Sequence, residues 1–225
     1  MIVGGADGCR SGWVVCRRDT DGPSLDIVVV KTLAEACEGL SLLAVDMPIG
    51  LVDVPRPPRA CEVEARRLMP GKTSSVFPTP CRPALACTTH AEANALSKTM
   101  GVGLTQQTFH LFPKMREVDD LLRGSRTLRS IVYEAHPELA FTRMNGGRPV
   151  LSKKRQPDGY AERRKLLARH GFKTKVERLS GAARDDILDA IAVCRTATLI
   201  AAGQATRLGP ARLRDSCGLP MNIWF

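Results

Sequence analysis

The sequence is poor in aromatic residues, and its cysteines are not closely paired. Phe, Tyr and Trp make up only 4% of its 225 residues, and they are not interleaved with basic residues in the pattern typical of single-strand binders. No two of the eight cysteines have the C-x-x-C spacing of zinc or redox motifs. These absences argue against such a zinc or redox site, and we expect reduced, mostly buried thiols.

Long hydrophobic segments are also missing. No apolar run reaches the roughly 18 residues that span a bilayer, and the first residues lack the basic region and cleavage site of a signal peptide. We therefore expect a cytoplasmic protein that makes no membrane contact. Because 44% of the residues are hydrophobic, the chain can bury one substantial core, and residues 1–225 are predicted to form a single domain.

Positive charge is abundant and concentrated in one segment. The net charge is +10, and residues 143–178 carry twelve Lys or Arg residues against three acidic ones. Such a surface favours encounter with nucleic acid, whose type the sequence leaves open. The alternative is an ordinary solvated surface.

The hydrophobic pattern predicts a mixed sheet. Short apolar runs over 2–7, 12–18 and 25–31, separated by turn residues, indicate three antiparallel strands joined as hairpins. After a short helix, a fourth strand is predicted over 40–46 and a fifth over 128–134, both parallel to the first because helices precede each of them.

Helices are predicted around these strands. The order of elements is that of an α/β, ribonuclease H-like fold: a mixed five-stranded sheet, three antiparallel strands and then two parallel ones, flanked by helices. A helical and proline-rich insertion of about 47–127 separates the last two strands. A terminal edge strand is expected over 221–225, and the helices over 32–39, 59–69, 91–100, 106–122, 137–144, 158–170 and 182–202.

Carboxylates fall where this topology brings chain segments together. Parallel strands present their carboxyl ends on one edge of a sheet, so Asp46 and Glu134 should be neighbours there. Clustered carboxylates raise one another's pKa unless a cation neutralises them, and hard oxygen ligands suit Mg²⁺ or Mn²⁺. Two such ions would support phosphodiester hydrolysis. The candidate catalytic residues are Asp7, Asp46, Glu134, Asp186 and Asp189.

The last helix is the sharpest single feature. It is almost wholly apolar after Asp189, so it must pack against the sheet and carry that carboxylate with it. Asp185 and Asp186 also interact favourably with a helix N-terminus, which is an alternative reason for their presence. We therefore take the metal ligands to be Asp7, Asp46, Glu134 and Asp189, and structural salt bridges with arginine as the alternative to a metal.

Several basic and hydroxyl residues are candidates for gripping a substrate. They lie in the glycine-rich turn after the first strand, in a proline-rich loop over 72–83 and in the basic segment. The turn would equally serve as a simple hairpin and the loop as a rigid connection. His136 is a secondary candidate for proton transfer. The candidate substrate-binding residues are Arg10, Lys72, Ser74, Ser75, Arg82, Lys153 and Lys154.

Motifs over nearly the whole chain resemble those of the domain of unknown function 429 family, described as predicted nucleases of ribonuclease H-like fold. The resemblance implies that fold, a nuclease activity and catalytic positions at the acidic residues named above. It rests on GGADGCRSGWVV at 4–15, VDMPIGL at 45–51, RACEVEARRL at 59–68, SSVFPTPCR at 74–82, PKMREVD at 113–119, EAHPELAF at 134–141, SKK at 152–154 and DDILDA at 185–190.

The same final helix is similar to that of Holliday-junction resolvases, whose Asp pair at i,i+3 completes a metal site. This likeness favours Asp186 and Asp189 over Asp185. The leading hypothesis is thus a metal-dependent nuclease. One alternative is an actin-like phosphotransferase, although the chain lacks a second glycine-rich phosphate motif. Another is an inactive nucleic-acid-binding protein of the same fold. An exposed edge strand would allow a homodimer, and the oligomeric state stays open.

Overall fold

The computed structural model describes residues 1–53, 58–99, 101, 103–175 and 178–225. Its strands run close to the predicted positions. Among the described residues, no helix combines the length and apolarity needed to cross a membrane. The strands are β1 (Ile2–Cys9), β2 (Gly12–Asp19), β3 (Leu25–Val30), β4 (Leu42–Val45), β5 (Val132–Glu134), β6 (Arg207–Leu208) and β7 (Ile223–Trp224).

Helices occupy the connections between β3 and β4, between β4 and β5, and after β5. Two 3₁₀ turns, Thr73–Ser75 and Arg82–Ala86, lie in the long β4–β5 connection. The α-helices are α1 (Leu33–Cys37), α2 (Ala60–Leu68), α3 (His90–Lys98), α4 (Gln106–His110), α5 (Phe112–Gly124), α6 (Arg126–Ile131), α7 (Pro137–Met144), α8 (Pro157–Arg169) and α9 (Arg184–Ala201).

The main sheet has the order β3-β2-β1-β4-β5. β1, β2 and β3 pair antiparallel, whereas β4 pairs parallel to β1 and β5 pairs parallel to β4. The mixed five-stranded sheet is therefore confirmed. A short strand does form within the segment predicted as a terminal edge strand, but β7 pairs antiparallel with β6 in a separate two-stranded sheet, and a single parallel bridge joins it to Ala135 just after β5.

Both faces of the sheet are covered. On β2, Trp13 and Val15 belong to the cluster that includes residues of α1 and α5, while Val14 and Cys16 belong to the cluster that includes residues of α7, α8 and α9. Because side chains alternate along a strand, this pattern is that of a strand buried on both faces. The sheet is thus the middle layer of three.

Helix α9 packs directly on β1 at Gly5. A β-carbon built on Gly5 would lie 2.1 Å from the backbone nitrogen of Cys194 and 2.4 Å from the backbone oxygen of Ala190. Only glycine permits this approach of two backbones. The contact sets the distance between the sheet and the helix that carries Asp189.

Two predicted elements were wrong in their extent. The fifth strand was expected over 128–134, but Arg126–Ile131 form α6. The Ser125 side chain caps this helix by accepting from the backbone N–H of Leu128 at 3.2 Å. Leu128 and Ile131, at helical spacing, both pack against the core. The helix expected over 106–122 is two helices. Pro113, in the first turn of α5, has no N–H to continue α4.

Replacing Gly5 by Ala should lower the unfolding free energy by roughly 3 kcal/mol or more, because the added methyl group collides with the backbone of α9. Urea unfolding of the variant and the wild type measures the change. Gly124→Ala is the control, since nothing lies within 4 Å of its β-carbon. A loss in Gly5→Ala below about 1 kcal/mol would contradict the tight contact.

Candidate active site at the carboxyl ends of the parallel strands

Three strand ends and one helix bring carboxylates to the same edge of the sheet. Asp7 lies in β1, Asp46 directly follows β4, and Glu134 ends β5. The strand register places Ala6 beside Val45 and Val45 beside Glu134. Asp189, from α9, completes the group because the neighbouring Ala190 touches Gly5 of β1.

These carboxylates act on one another electrostatically. Burial raises the pKa of Asp7 well above its usual value, and the charges of Asp46 and Asp189 raise it further. Burial likewise raises the pKa of Asp46 to about 6, and Asp189 adds to that effect while His136 and Lys154 oppose it. Burial also raises the pKa of Asp189. Asp7, Asp46 and Asp189, called the carboxylate cluster below, therefore need a cation.

Lys154 is the cation that the folded chain itself supplies to this cluster. Its ammonium contacts Asp189 Oδ2 and lies 3.6 Å from Asp185 Oδ2. Burial alone would lower the pKa of Lys154, but the negative charges of Asp189, Asp7 and Asp185 outweigh it and raise the pKa above its usual value. The other carboxylate oxygen of Asp189, Oδ1, is buried and has no hydrogen-bond partner.

The loop that carries Lys154 is held by a buried arginine. Arg163 of α8 is completely buried and donates to the backbone oxygens of Ser152 (3.0 Å) and Val150 (3.3 Å). It also pairs with both oxygens of Glu138 at 2.7 and 3.0 Å. Removing one partner of such a buried pair is costly. Arg163 thus fixes the backbone just before Lys154.

Glu134 is engaged by arginine rather than open to the cluster. Its oxygens accept hydrogen bonds from the guanidinium of Arg59 at 2.7 and 2.8 Å, and Oε2 also accepts from the backbone N–H of Ile49 at 2.7 Å. Arg59 in turn pairs with Glu62 at 2.7 Å, and all three charged side chains are buried. The triad ties the loop after Asp46 to α2 and β5.

Asp186 and Asp185 have different surroundings. Asp186 Oδ2 accepts from the backbone N–H of Ala183 (2.9 Å), so it caps the first turn of α9, although it is near enough to add to the raised pKa of Asp7. Asp185 is buried and pairs with Arg155 (3.2 Å) as well as with Lys154. The aspartate that shares Lys154 with Asp189 is therefore Asp185 and not Asp186.

Besides Lys154, two of the predicted substrate-binding residues are paired with acidic side chains. Arg82 is surrounded by the carboxylates of Asp53, Asp119 and Asp215, with 3.0 Å to Asp119. These contacts fix the proline-rich loop. Lys72 lies 3.9 Å from Glu138 and donates to the backbone oxygen of Ser152 at 3.4 Å.

The remaining predicted substrate-binding residues lie on the surface or beside the cavity. Ser75 lines a cavity of about 100 Å³ together with Asp7 and Asp46. Lys154 contacts Asp189 of the carboxylate cluster, as described above. Exposed positions are occupied by Arg10, Ser74 and Lys153.

His136 faces the same cavity as Asp46. Its Nε2 lies 3.1 Å from the backbone oxygen of Ser75, which can only accept, so Nε2 carries a proton and Nδ1 is the nitrogen that would accept one when the ring is neutral. Nδ1 is buried and has no hydrogen-bond partner. The ring is therefore oriented, with one open nitrogen.

A basic groove adjoins the cluster. It has a volume of about 760 Å³ and lies between the start of α8 and the start of α9. Lys154 and Asp185 line it, so the groove and the carboxylate cluster share their cation. The other charged or aromatic lining residues are Arg155, Tyr160, Arg164, Lys165 and Arg184.

The carboxylate cluster has the donor type that suits a divalent ion, but not the spacing that would hold one in this structure. Its members are hard oxygen donors, their pKa values are raised, and Asp189 Oδ1 has no partner. In the part of the chain that the structure describes, no three His, Cys, Asp or Glu side chains stand close enough together to hold an ion. The contact of Lys154 with Asp189 takes up one of the donors.

Comparison with families of known sequence gives one match. The model of the family described as "Protein of unknown function (DUF429)" matches residues 5–213. No curated protein and no solved structure matches the chain. The matched range contains the carboxylate cluster, Lys154 and the Arg59–Glu134 pair.

The stability of the metal-free protein should depend on pH through Asp46. Its folded pKa of about 6 lies above the usual 3.8, so the folded state holds this proton more tightly than the unfolded state. Stability is therefore greatest below about pH 4 for this group and falls as the pH rises through 6. Asp46→Asn should reduce that fall by up to about 3 kcal/mol.

Urea unfolding between pH 4 and 7.5 measures the dependence. Asp120→Asn, at an exposed carboxylate of α5, is the control and should behave like the wild type. An equal dependence of the unfolding free energy on pH in Asp46→Asn and the wild type would contradict the raised pKa of Asp46.

Neutralising Asp7 and neutralising Glu134 should have different effects on the unfolding free energy. Glu134→Gln leaves Arg59 buried with one carboxylate fewer, so the unfolding free energy at pH 7.5 should fall by about 3 kcal/mol. Asp7→Asn removes a carboxylate that its neighbours repel, so the unfolding free energy should not fall. The same urea titrations in metal-free buffer distinguish the two, and equal losses would refute the assignment of different roles.

Proposed function

The chain belongs to the DUF429 family, and we propose that it is a divalent-metal-dependent nuclease that hydrolyses phosphodiester bonds of nucleic acid. The family description assigns no reaction, so the proposal is built on the site. The observation that carries it is the position of the carboxylate cluster at the edge of the parallel strands, beside a groove lined with cations. Carboxylates next to a polyanion-binding surface are suited to phosphodiester chemistry.

Asp7, Asp46 and Asp189 would hold the ion, Mg²⁺ or Mn²⁺, and their side chains would have to draw closer together than they stand in this structure to do so. When bound, the ion would polarise the phosphate and lower the pKa of a water molecule. The sequence led us to expect two ions. Both oxygens of Glu134 accept hydrogen bonds from Arg59, so we propose three ligands rather than four. Glu134 would instead help to position Asp46, because it also binds the loop that follows Asp46.

The chain's own groups supply the remaining chemistry. Lys154, already among the carboxylates, would pair with the phosphate and offset its negative charge. The open Nδ1 of His136 would accept a proton in the cavity that Asp46 also lines. Asp186 would cap the first turn of α9 and take no part in the reaction.

A cytoplasmic location is part of this proposal. All eight cysteines are free thiols, and Cys16 and Cys194 lie side by side without being bonded, so that the hydrogen bond with Cys194 and burial raise the pKa of the Cys16 thiol. Unbonded neighbouring thiols are typical of a reducing compartment.

Metal binding should stabilise the protein before any substrate is added. At a Mn²⁺ concentration of 100 times the dissociation constant, the unfolding free energy should rise by about 2.7 kcal/mol through mass action. Thermal unfolding across a Mn²⁺ series measures this for the wild type, Asp7→Asn and the control Asp120→Asn. Only Asp7→Asn should lose the response. No shift in the wild type at millimolar Mn²⁺ would refute the metal site.

Cleavage should then follow the same residues. The three proteins are incubated with Mg²⁺ or Mn²⁺ and labelled single-stranded, duplex, hybrid and four-way-junction nucleic acids. We expect the wild type and Asp120→Asn to cleave at equal rates and Asp7→Asn to be slower by at least about 100-fold, the scale of losing one electrostatic contact to the reacting group. Metal binding without cleavage of any substrate would favour the inactive nucleic-acid-binding alternative.

A further inference from the structure

The groove between the starts of α8 and α9 differs from the rest of the surface in both shape and charge. It offers about 760 Å³ of open space, and Lys154, Arg155, Arg164, Lys165 and Arg184 all line it, whereas Asp185 is the one acidic residue among the described residues that line it. The side chain of Arg155 is 82% exposed although it pairs with Asp185. The groove therefore presents a concentrated positive charge to solvent.

Among the described residues that line the groove, the one aromatic ring, that of Tyr160, is covered on one face. The guanidinium of Arg184 lies over the Tyr160 ring at 4.4 Å from its centre. Proteins that grip single strands use open aromatic faces as stacking platforms. With one face of that ring covered by a cation, the groove offers several charges for phosphates and little aromatic surface for bases.

The groove also leads to the carboxylate cluster. Lys154 and Asp185 belong to its lining, and Lys154 contacts Asp189. A phosphate chain lying in the groove would therefore pass the cluster at Lys154. This continuity separates the groove from an ordinary basic surface.

We propose that this groove binds the phosphate backbone of one strand of a nucleic-acid duplex, independently of base sequence, and directs it to the carboxylate cluster. A duplex keeps the faces of its bases stacked inside and its backbone outside, which matches a groove that is rich in cations and whose aromatic ring is covered on one face. The second half of the inference rests on the proposed nuclease function. The binding itself needs no metal.

Binding is tested in EDTA, where no hydrolysis can contribute. Fluorescence anisotropy compares two 24-base-pair DNA duplexes of unrelated sequence and one of their single strands, over a series of salt concentrations. We expect the two duplexes to bind within about 3-fold of each other and the single strand at least 5-fold more weakly. The affinity for duplex should fall steeply with salt, with a slope of about 0.9 for each phosphate contacted.

A charge-reversed variant locates the contact. The double variant Lys165→Glu/Arg184→Glu should lose at least 30-fold in duplex affinity, and its salt slope should decrease by about 2, because two phosphate contacts are lost. Lys98→Glu, at an exposed lysine of α3 outside the groove, is the matched control and should stay within 2-fold of the wild type. Thermal midpoints of both variants establish that they are folded.

Each outcome has a distinct meaning. Equal loss in the control and the groove variant, tighter binding of the single strand, or no binding at all would overturn the proposal. Cleavage in Mn²⁺ by a groove variant at the wild-type rate would overturn the second half alone, the delivery of substrate to the cluster. Binding by the groove without any cleavage would leave the groove standing and count against the nuclease function.

Discussion

The contact between the backbones of α9 and β1 at Gly5 is the constraint on which the site depends. A helix normally stands away from a sheet by the length of the intervening side chains, but here the β-carbon position of Gly5 is already filled by atoms of α9. Asp189 is therefore carried to the edge where β1 and β4 end. Without that approach, the aspartate would remain on a helix beside the sheet, too far away to share a proton or a cation with Asp7.

Charge balance explains most of the other polar contacts. The negative charge of the carboxylate cluster is partly neutralised by Lys154. In the same way Arg59 neutralises Glu134 and Glu62, and Arg82 is paired with three aspartates. Each pairing removes carboxylates from water, which is costly unless a cation and hydrogen bonds compensate. The sequence motifs of the family fall largely into these three networks. Most of the motif residues thus hold the scaffold, and fewer face the cluster.

The sequence was informative where local pattern decides the outcome. Alternating apolar runs indicated the order and directions of the strands, and the carboxyl ends of parallel strands placed Asp46 and Glu134 on one edge. Asp189 followed from the apolar character of its helix, which had to pack on the sheet. The extent of β5 could not be obtained in this way, because the apolar residues before it suit a helix and a strand equally and the Ser125 cap decides between them.

The sequence could not predict which side chains form ion pairs when they are far apart in the chain. Nothing in the residues around Glu134 indicates that Arg59, 75 positions earlier, binds both of its oxygens. Lys154 was expected to grip substrate from a surface loop, and only the fold brings it to Asp189. Asp185 and Asp186 are adjacent in sequence, so the choice between them depends on how α9 is rotated against the sheet.

One ammonium group faces two kinds of anionic neighbour. Lys154 lies between the aspartates and the groove, and it cannot satisfy the carboxylates and a phosphate equally at the same time. Drawing it toward a polyanion leaves Asp189 short of a cation, and a cation at Asp189 releases Lys154 toward the polyanion. On the function proposed here, the two ligands are thermodynamically coupled, and each strengthens the binding of the other by the same factor.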